Sequence, residues 1–195
     1  MISKIKQSLE TTVALFNEFI QVEANLVIME KIAEEICDLF QKGNKILICG
    51  NGGSATDAMH FAEEFTGRFR KNRPALPALA LTDSSHITCV GNDFGFDKIF
   101  SRGVEAFGKK GDLLIAISTS GNSANIFEAV KVAESKELKI FSLLGKNGGK
   151  LKGLCEFELI IPGETSDRIQ ELHMSILHII IEIVERKMFP MNYLS

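Results

Sequence analysis

A glycine-rich segment is the first feature of this sequence that could do chemistry. The apolar residues 45–49 stop at Gly50–Ala55 (GNGGSA), and a helical pattern follows without a spacer. A strand, a glycine turn and a helix in this order present free backbone N–H groups and the positive end of a helix dipole, which suits phosphate. His60 and Glu64 lie four residues apart on one face of that helix. An imidazole and a carboxylate therefore stand beside a candidate anion site.

Taken alone, the glycine segment permits three interpretations. Gly50–Ala55 fits the G-x-G-x-x-A form of the dinucleotide fingerprint, and Asp83 could be the ribose acceptor of a nicotinamide-dependent oxidoreductase. The segment could also be a tight turn that binds no ligand, or the phosphate cradle described above. It is not a P-loop, because no Gly-Lys-Ser/Thr follows.

A second polar loop, Ser118–Ser123 (STSGNS), follows the third predicted strand. Its four hydroxyls and one glycine exceed what an N-cap needs. In a doubly wound sheet of order 2-1-3-4-5, strands 1 and 3 are neighbours, so both loops would open on one crevice. Two such loops favour a phosphate monoester with sugar hydroxyls over a dinucleotide, and the hydroxyl loop is the main candidate to hold the phosphate.

The remaining pattern predicts the elements that position these loops. Predicted strands cover 45–49, 75–81, 112–117, 138–143 and 157–161, and predicted helices cover 56–69, 83–90, 96–107, 124–135 and 167–188. Apolar strands separated by helices indicate a parallel sheet that is covered on both faces. We therefore predict a three-layer α/β/α sandwich with a five-stranded parallel sheet of order 2-1-3-4-5. A single domain would span 1–195, with two extra N-terminal helices in 1–42 and the α/β core with its closing C-terminal helix in 43–195.

The two helical patterns before the first strand cannot both be crossovers of the sheet. The first carries one seam, formed by Ile5, Leu9, Thr12, Phe16 and Phe19. These helices either cap one face of the sheet or pack against the same helices of another subunit. The phenylalanines in the seam slightly favour the second alternative.

The last predicted helix combines an apolar stripe with polar residues. The stripe consists of Ile169, Leu172, Ile176, Ile179, Ile180 and Ile183. Gln170 and His178 lie off it, two turns apart and within about 80° of each other. His173 falls within the stripe and is predicted to be a core or interface histidine, whereas His178 is equally consistent with an exposed polar residue. If this helix faces the one carrying His60 and Glu64, the four polar groups would suit a divalent metal such as zinc, although an amide is an unusual ligand.

Composition excludes several classes of function. The 195 residues are 45% hydrophobic and 24% charged, and the net charge of −3 offers no basic surface for nucleic acid or an anionic membrane. The four cysteines are scattered without a C-x-x-C pair, which predicts reduced thiols in the cytoplasm. The N-terminal residues 1–16 do not form a signal-peptide core, and the most apolar stretch, 176–184, is too short to span a bilayer.

Four segments carry a family resemblance. They are GNGGS at 50–54 with Asp57, Ala58, His60, Glu64, Gly67 and Arg68; VGNDFGF at 90–96; ISTSGNS at 117–123; and DRIQE at 167–171 with His178. In register and spacing over residues 45–188, the chain resembles the phosphoheptose isomerase family of the sugar isomerase (SIS) domain superfamily.

The resemblance implies an aldose–ketose isomerase. The implied reaction interconverts D-sedoheptulose 7-phosphate and D-glycero-D-manno-heptose 7-phosphate through an enediol, as the first step of heptose synthesis for lipopolysaccharide core or surface polysaccharide. Glu64 and His178 would be the acid and base. It also implies a cytoplasmic homotetramer. The alternative of another class is a non-catalytic SIS-domain binding protein of the DnaA initiator-associating type, which lacks the acid, base and metal residues that this chain keeps.

The resemblance also implies the residues of the site. One zinc ion per subunit would be bound by His60, Glu64, Gln170 and His178. Substrate would contact Asn51, Gly52, Gly53, Ser54, Glu64, Asn92, Asp93, Ser118, Thr119, Ser120, Ser123 and Gln170. Arg68 and Asp167 are further polar candidates.

Overall fold

The computed structural model describes residues 1–194; Ser195, the last residue of the predicted domain, lies outside the described residues. The helices are α1 Ile2–Gln21, α2 Glu23–Gln41, α3 Gly53–Thr66, α4 Ser84–Phe94, α5 Ile99–Phe107, α6 Ala124–Ser135 and α7 Ser166–Met188. The strands are β1 Ile46–Cys49, β2 Ala78–Ala80, β3 Leu113–Ser118, β4 Lys139–Gly145 and β5 Phe157–Ile161. Short 3₁₀ turns occupy Phe96–Lys98, Gly149–Leu151 and Pro190–Tyr193.

The sheet confirms the predicted topology. Its order is β2-β1-β3-β4-β5, and every pairing is parallel. One apolar cluster joins α1, α2, α3 and α7 to one face of the sheet, and a second joins α4, α5 and α6 to the other. β1 and β3 are buried throughout, as strands covered on both faces must be. Because β1 and β3 are neighbours, the loops that follow them open at the same edge of the sheet.

Strand β2 is shorter than the predicted 75–81. Pro74 and Pro77 cannot donate hydrogen bonds to a ladder, and the Leu76 amide donates to the Phe65 carbonyl at the end of α3 instead. Only Ala78–Ala80 pairs with β1. The prolines thus convert the first half of the predicted strand into a connection.

The helix boundaries also differ from the predictions where glycine sets the backbone. α3 begins at Gly53, three residues before the predicted start, and ends at Thr66 instead of residue 69. The predicted helix 96–107 divides into a 3₁₀ turn and α5. Gly95, at φ +93°, separates this turn from α4, which extends to Phe94.

Helix α1 divides its predicted seam between two environments. Phe19 is buried against the core together with Leu15, which lies outside the predicted seam, while Ile5 and Leu9 are about 60% exposed. The capping alternative therefore holds for the C-terminal half of the helix, and the N-terminal half presents apolar side chains outward. Among residues 1–194, no single helix is long and apolar enough to cross a membrane, although α1 and α2 meet the length and composition criteria together as a pair bent by 79°.

The last helix, α7, confirms most of its predicted stripe. Ile169, Leu172, Ile176 and Ile180 are buried in the core, whereas Ile179 is 44% exposed and does not belong to the buried face. His173 is fully buried, as predicted for a core histidine, and its Nε2–H donates to the Leu144 carbonyl at 3.0 Å. Burial lowers the pKa of His173 to about 4, so this imidazole is neutral at physiological pH.

The buried neutral His173 predicts a loss of stability in mild acid. As pH falls below 6.5, the unfolded chain binds a proton at this position and the folded chain does not, until pH approaches 4. The free energy of unfolding should therefore fall by roughly 3 kcal/mol across this window. Urea unfolding of the wild type and His173→Gln gives the free energy of unfolding at each pH between 7 and 4. The free energy should fall more steeply with decreasing pH in the wild type than in His173→Gln. Equal dependence on pH in the two proteins would contradict the prediction.

Candidate active site

The glycine turn after β1 requires glycine, because residues with a side chain would clash or be strained there. A methyl group at Gly50 would lie 2.6 Å from the Ser54 carbonyl oxygen, and Gly52 has φ +56°. Gly52 is the N-cap of α3, so no side chain caps this helix. The Ser54 and Ala55 N–H groups donate to the Asn51 and Gly52 carbonyls, while the positive end of the helix dipole faces the edge of the sheet, where it favours an anion.

The first turn of α7 closes over this glycine turn. A methyl group at Gly53 would lie 2.5 Å from Gln170 Nε2 and 2.6 Å from Gln170 Oε1. The absence of a side chain at position 53 therefore lets the Gln170 amide rest directly on the start of α3. Two residues that the family resemblance assigns to substrate contact are brought together here.

The hydroxyl loop after β3 is ordered by its own hydrogen bonds. Ser118 Oγ accepts from the Gly121 amide at 3.1 Å and lies 3.2 Å from Ser123 Oγ. Ser120 Oγ accepts from the Asn122 amide at 3.1 Å. Thr119 Oγ1 lies 3.1 Å from the hydroxyl of Ser166, the first residue of α7. The loop is thus a formed turn that is tied to the start of the closing helix.

Three helix N-termini meet at this edge without a side-chain cap. α3, α6 and α7 begin beside the loops after β1, β3 and β5, and the N-cap side chains of α6 (Ser123) and α7 (Thr165) make no capping hydrogen bond. The contacts between Gly53 and Gln170 and between Thr119 and Ser166 bring these starts together. Converging helix dipoles and hydroxyls are the chemical groups that a phosphate monoester requires, and phosphate binding at this edge stays a prediction.

Two asparagine side chains clamp the two loops to each other. Asn51 Nδ2 donates to Asn125 Oδ1 at 2.9 Å, and Asn125 Nδ2 donates back to Asn51 Oδ1 at 2.8 Å. Asn125, in the first turn of α6, is only 2% exposed. Each amide keeps one N–H and one lone pair for other partners. The clamp fixes the separation of the glycine turn and the hydroxyl loop.

Replacing Asn125 by alanine should weaken substrate binding. The change removes both hydrogen bonds and leaves Asn51 free to turn, so we expect KM for the sugar phosphate to rise about tenfold with a smaller change in kcat. Steady-state kinetics measure this. Asn44→Ala is the control, because Asn44 donates to the Lys110 carbonyl at the opposite edge of the sheet; an equal rise in KM there would refute the clamp.

His60, Glu64 and His178 form a cluster of possible metal ligands where α3 and α7 face each other. One ligand atom from each residue lies within 4.8 Å of the others. His60 Nε2 is 3.3 Å from Glu64 Oε1, and the two imidazole rings meet edge to face with centroids 4.9 Å apart. Two imidazoles and a carboxylate are a donor set that zinc takes in catalytic sites. The donor set therefore fits the implied metal.

Aromatic and charged neighbours surround His178. The Phe69 ring stacks on the imidazole with centroids 5.8 Å apart, and Arg70 covers the Phe69 ring at 5.0 Å. Arg70 is held by Glu182, one turn after His178, at 2.8 Å. Burial, His60 and Arg70 lower the pKa of His178 against the opposing effect of Glu64. A lowered pKa favours the neutral imidazole, which is the form that binds metal.

A buried carboxyl lies on α3 one turn before the cluster. Asp57 Oδ2 is buried and, among residues 1–194, has no hydrogen-bond partner. Burial raises the pKa of Asp57 to about 6, and nearby His60 opposes the shift. A carboxyl that titrates near neutrality in this position adds to the groups that could exchange protons in the site.

The other residues of the predicted site take different positions. Gln170 precedes His178 by eight residues, about 12 Å along the helix axis, and its observed contact is with Gly53. Asn92 donates to Asp93 at 2.7 Å on exposed α4, away from the observed contacts between the loops. Ser54 is buried, Arg68 is exposed, and Asp167 is exposed with its pKa lowered by the Thr165 hydroxyl. Their contacts with substrate, and Gln170 as a metal ligand, stay predictions.

Sequence reasoning missed the residues that support the site. Asn125, Phe69 and Ser166 each contact a predicted site residue, and Arg70 covers the Phe69 ring, yet none of the four was singled out. Asn125 directly follows the hydroxyl loop and Ala124, which is the one local signal that could have identified it. Phe69 was predicted to be the last residue of the helix 56–69, but α3 ends at Thr66, and both Phe69 and Arg70 lie beyond it.

Comparisons with known proteins agree with this geometry. The sequence profile of the SIS domain family matches residues 10–145. A phosphoheptose isomerase of Fusobacterium nucleatum subsp. nucleatum is 60% identical over 188 residues, which cover 96% of this chain and 97% of that protein.

Two solved structures share the architecture. The phosphoheptose isomerase GmhA from Neisseria gonorrhoeae superposes with a TM-score of 0.86 at 38% identity, covering 94% of this chain and 97% of that one. A phosphoheptose isomerase from Francisella tularensis gives a TM-score of 0.89 at 36% identity, with 95% and 98% coverage. With its fold, its two loops and its His/Glu/His cluster, this chain belongs to the phosphoheptose isomerase family of SIS-domain enzymes.

Proposed function

We propose that this protein interconverts D-sedoheptulose 7-phosphate and D-glycero-D-manno-heptose 7-phosphate through an enediol. The carrying observation is the His60–Glu64–His178 cluster, which forms where α3 and α7 face each other. The N-termini of α3, α6 and α7, which no side chain caps, lie at the edge of the sheet where α3 and α7 begin. A phosphate bound there would leave the carbon chain of the sugar to extend toward the cluster.

The residues divide the work of isomerisation. The reaction moves a proton between C1 and C2, which needs a base at carbon and a proton donor at oxygen. We assign removal of the proton from carbon to the carboxylate of Glu64, whose side chain is only 14% exposed. Its Oε1 faces His60, so Oε2 is the oxygen available to the substrate. We assign proton transfer at the substrate oxygens to His178, whose imidazole stacks on the Phe69 ring.

We further propose one zinc ion per subunit. His60, Glu64 and His178 would hold it, and the resemblance adds Gln170 as a fourth ligand. When bound, zinc would polarise the substrate carbonyl as a Lewis acid. The lowered pKa of His178 supports this role, because the neutral imidazole needs no deprotonation before it binds.

We propose a homotetramer that uses the exposed face of α1. Five apolar side chains of α1 are each more than half exposed: Ile2, Ile5, Leu9, Val13 and Ile20. On a helix they fall within about 80° of one face. A continuous apolar stripe of this kind is typical of helices that pack together. Light scattering of the purified protein measures the number of subunits.

The cellular role follows from the proposed reaction. The aldose phosphate would enter heptose synthesis for lipopolysaccharide core or surface polysaccharide in the cytoplasm. The cysteines are unpaired thiols in the structure, and burial raises the pKa of Cys49 to about 12, which is consistent with a reduced structural thiol.

A direct assay tests the proposed function. Purified protein with added zinc is incubated with sedoheptulose 7-phosphate, and formation of the aldose phosphate is followed by chromatography. We expect turnover in both directions. Absence of turnover, together with binding of a replication initiator in a pull-down, would instead support the non-catalytic SIS-domain alternative.

A further inference from the structure

A buried ion pair lies beyond the candidate active site, between the end of α3 and α7. The side chains of Arg73 and Glu185 are each 1% exposed, and Arg73 Nε donates to Glu185 Oε1 at 2.9 Å. Neither residue belongs to the cluster or to the loops. Burying two charges is unfavourable unless each is fully paired. The position of this pair suggests a role in holding the two helices together.

On the α3 side, Arg73 binds the end of the helix that carries two cluster residues. Its guanidinium donates to the Glu64 carbonyl at 2.5 Å and to the Phe65 carbonyl at 2.6 Å. The last carbonyls of a helix have no partner within the helix, and a cation is favourable at this end of the dipole. Arg73 therefore holds the backbone of Glu64 itself.

On the α7 side, Glu185 lies two turns after His178. Seven residues make almost two full turns, so the two side chains share one face of α7. The ion pair consequently fixes α7 relative to α3 close to the point where His178 must meet His60 and Glu64. Gly53 and Gln170 make the corresponding contact near the starts of the two helices.

The C-terminal turn Pro190–Tyr193 covers the pair. Tyr193 donates its hydroxyl to Glu185 Oε2 at 2.7 Å, so both carboxylate oxygens of Glu185 are hydrogen-bonded. The Arg186 guanidinium lies 4.6 Å from the Tyr193 ring centroid, and Asn192 donates to the Asn72 carbonyl at 3.1 Å. The turn is thus attached both to α7 and to the segment that carries Arg73.

We propose that Arg73, Glu185 and Tyr193 are positioning residues that hold α3 and α7 in the register required for the His60–Glu64–His178 site. The proposal rests on the proposed metal-binding role of that cluster. Ligands held by rigid outer partners bind metal more tightly, and loss of an outer partner typically weakens binding about 10- to 100-fold. The substrate phosphate binds at the other end of α3 and should be affected far less.

The test measures metal binding in full-length variants. Metal-free wild type, Glu185→Gln and Tyr193→Phe are titrated with Co²⁺, whose visible absorption reports coordination geometry, and with Zn²⁺ against a coloured chelator. Glu185→Gln keeps the shape of the side chain and an oxygen for Arg73. We expect binding about 10- to 100-fold weaker in Glu185→Gln and a smaller loss in Tyr193→Phe. In turnover, kcat should fall while KM stays near the wild-type value.

A second ion pair, in which the carboxylate is buried, gives the control. Asp112 is fully buried and pairs with Lys45 at 2.5 Å at the opposite edge of the sheet. Asp112→Asn should lower the melting temperature as Glu185→Gln does, yet leave metal affinity unchanged. Metal affinity equal to wild type in both folded test variants would overturn the proposal, as would an equal loss in Asp112→Asn.

A measurement without metal separates this proposal from the proposed function. In the metal-free protein, amide hydrogen exchange at residues 62–67 should be faster in Glu185→Gln than in Asp112→Asn, because the carbonyl contacts of Arg73 are loosened. Unchanged exchange there contradicts the positioning role. A wild type that binds metal but does not turn over sedoheptulose 7-phosphate refutes the proposed function and leaves the positioning role standing.

Discussion

Replacing Glu64 by glutamine is expected to lower kcat for isomerisation by about a thousandfold. General base catalysis typically contributes 10²- to 10⁴-fold, and an amide cannot accept a proton from carbon. The glutamine has the same shape, so the fold and the hydrogen bond from Arg73 to the backbone carbonyl of residue 64 should persist. The measurement is steady-state turnover at saturating substrate.

The neighbouring carboxylate supplies the control for this experiment. Glu63 lies one residue earlier, is 65% exposed and comes no closer than 3.9 Å to His60. Glu63→Gln should retain kcat within about twofold, as surface substitutions usually do. Because Glu64 is also a proposed metal ligand, zinc binding by Glu64→Gln must be measured in parallel. Lost turnover with zinc still bound supports the base; undiminished turnover would refute it.

Sequence alone was sufficient for the architecture and for the two loops. Apolar strands alternating with helices leave few parallel topologies, and the loops are contiguous in the chain. The two helices do face each other with His60 beside His178, which was the condition for the metal site that the sequence suggested, whereas the contact of Gly53 with Gln170 was not predicted. Helix periodicity identified most of the buried face of α7, but Ile179 is exposed, while Leu177, Ile181 and Val184, which lie outside the predicted stripe, are buried.

Contacts between residues distant in the chain were beyond prediction. Arg73 lies in an irregular segment between two elements, and its partner Glu185 is 112 residues away. A charged residue near a proline, without periodicity, usually indicates an exposed loop, which is the opposite of what the structure shows. Asn125 follows the hydroxyl loop closely, but an amide in the first turn of a helix carries no sign of which partner it will contact. Supporting residues of a site are found only when the fold is known.

Removing the metal should abolish turnover and lower thermal stability together. A ligand present at a hundred times its dissociation constant stabilises a protein by about 2.7 kcal/mol, which for a chain of this size raises Tm by roughly 5–10 °C. His178→Ala should lose this zinc-dependent rise and lose kcat, because one of the two imidazoles of the cluster is gone. Differential scanning calorimetry with and without zinc measures the shift.

A second histidine on the same helix separates metal binding from helix stability. His173 lies five residues before His178, fully buried and bonded to the Leu144 carbonyl. His173→Gln should lower Tm in the absence of zinc, yet show the same rise when zinc is added. If instead His178→Ala keeps the zinc-dependent rise, the metal binds elsewhere. The assignment of His60, Glu64 and His178 as its ligands would then be wrong, although the acid and base roles of Glu64 and His178 could still be tested by kinetics.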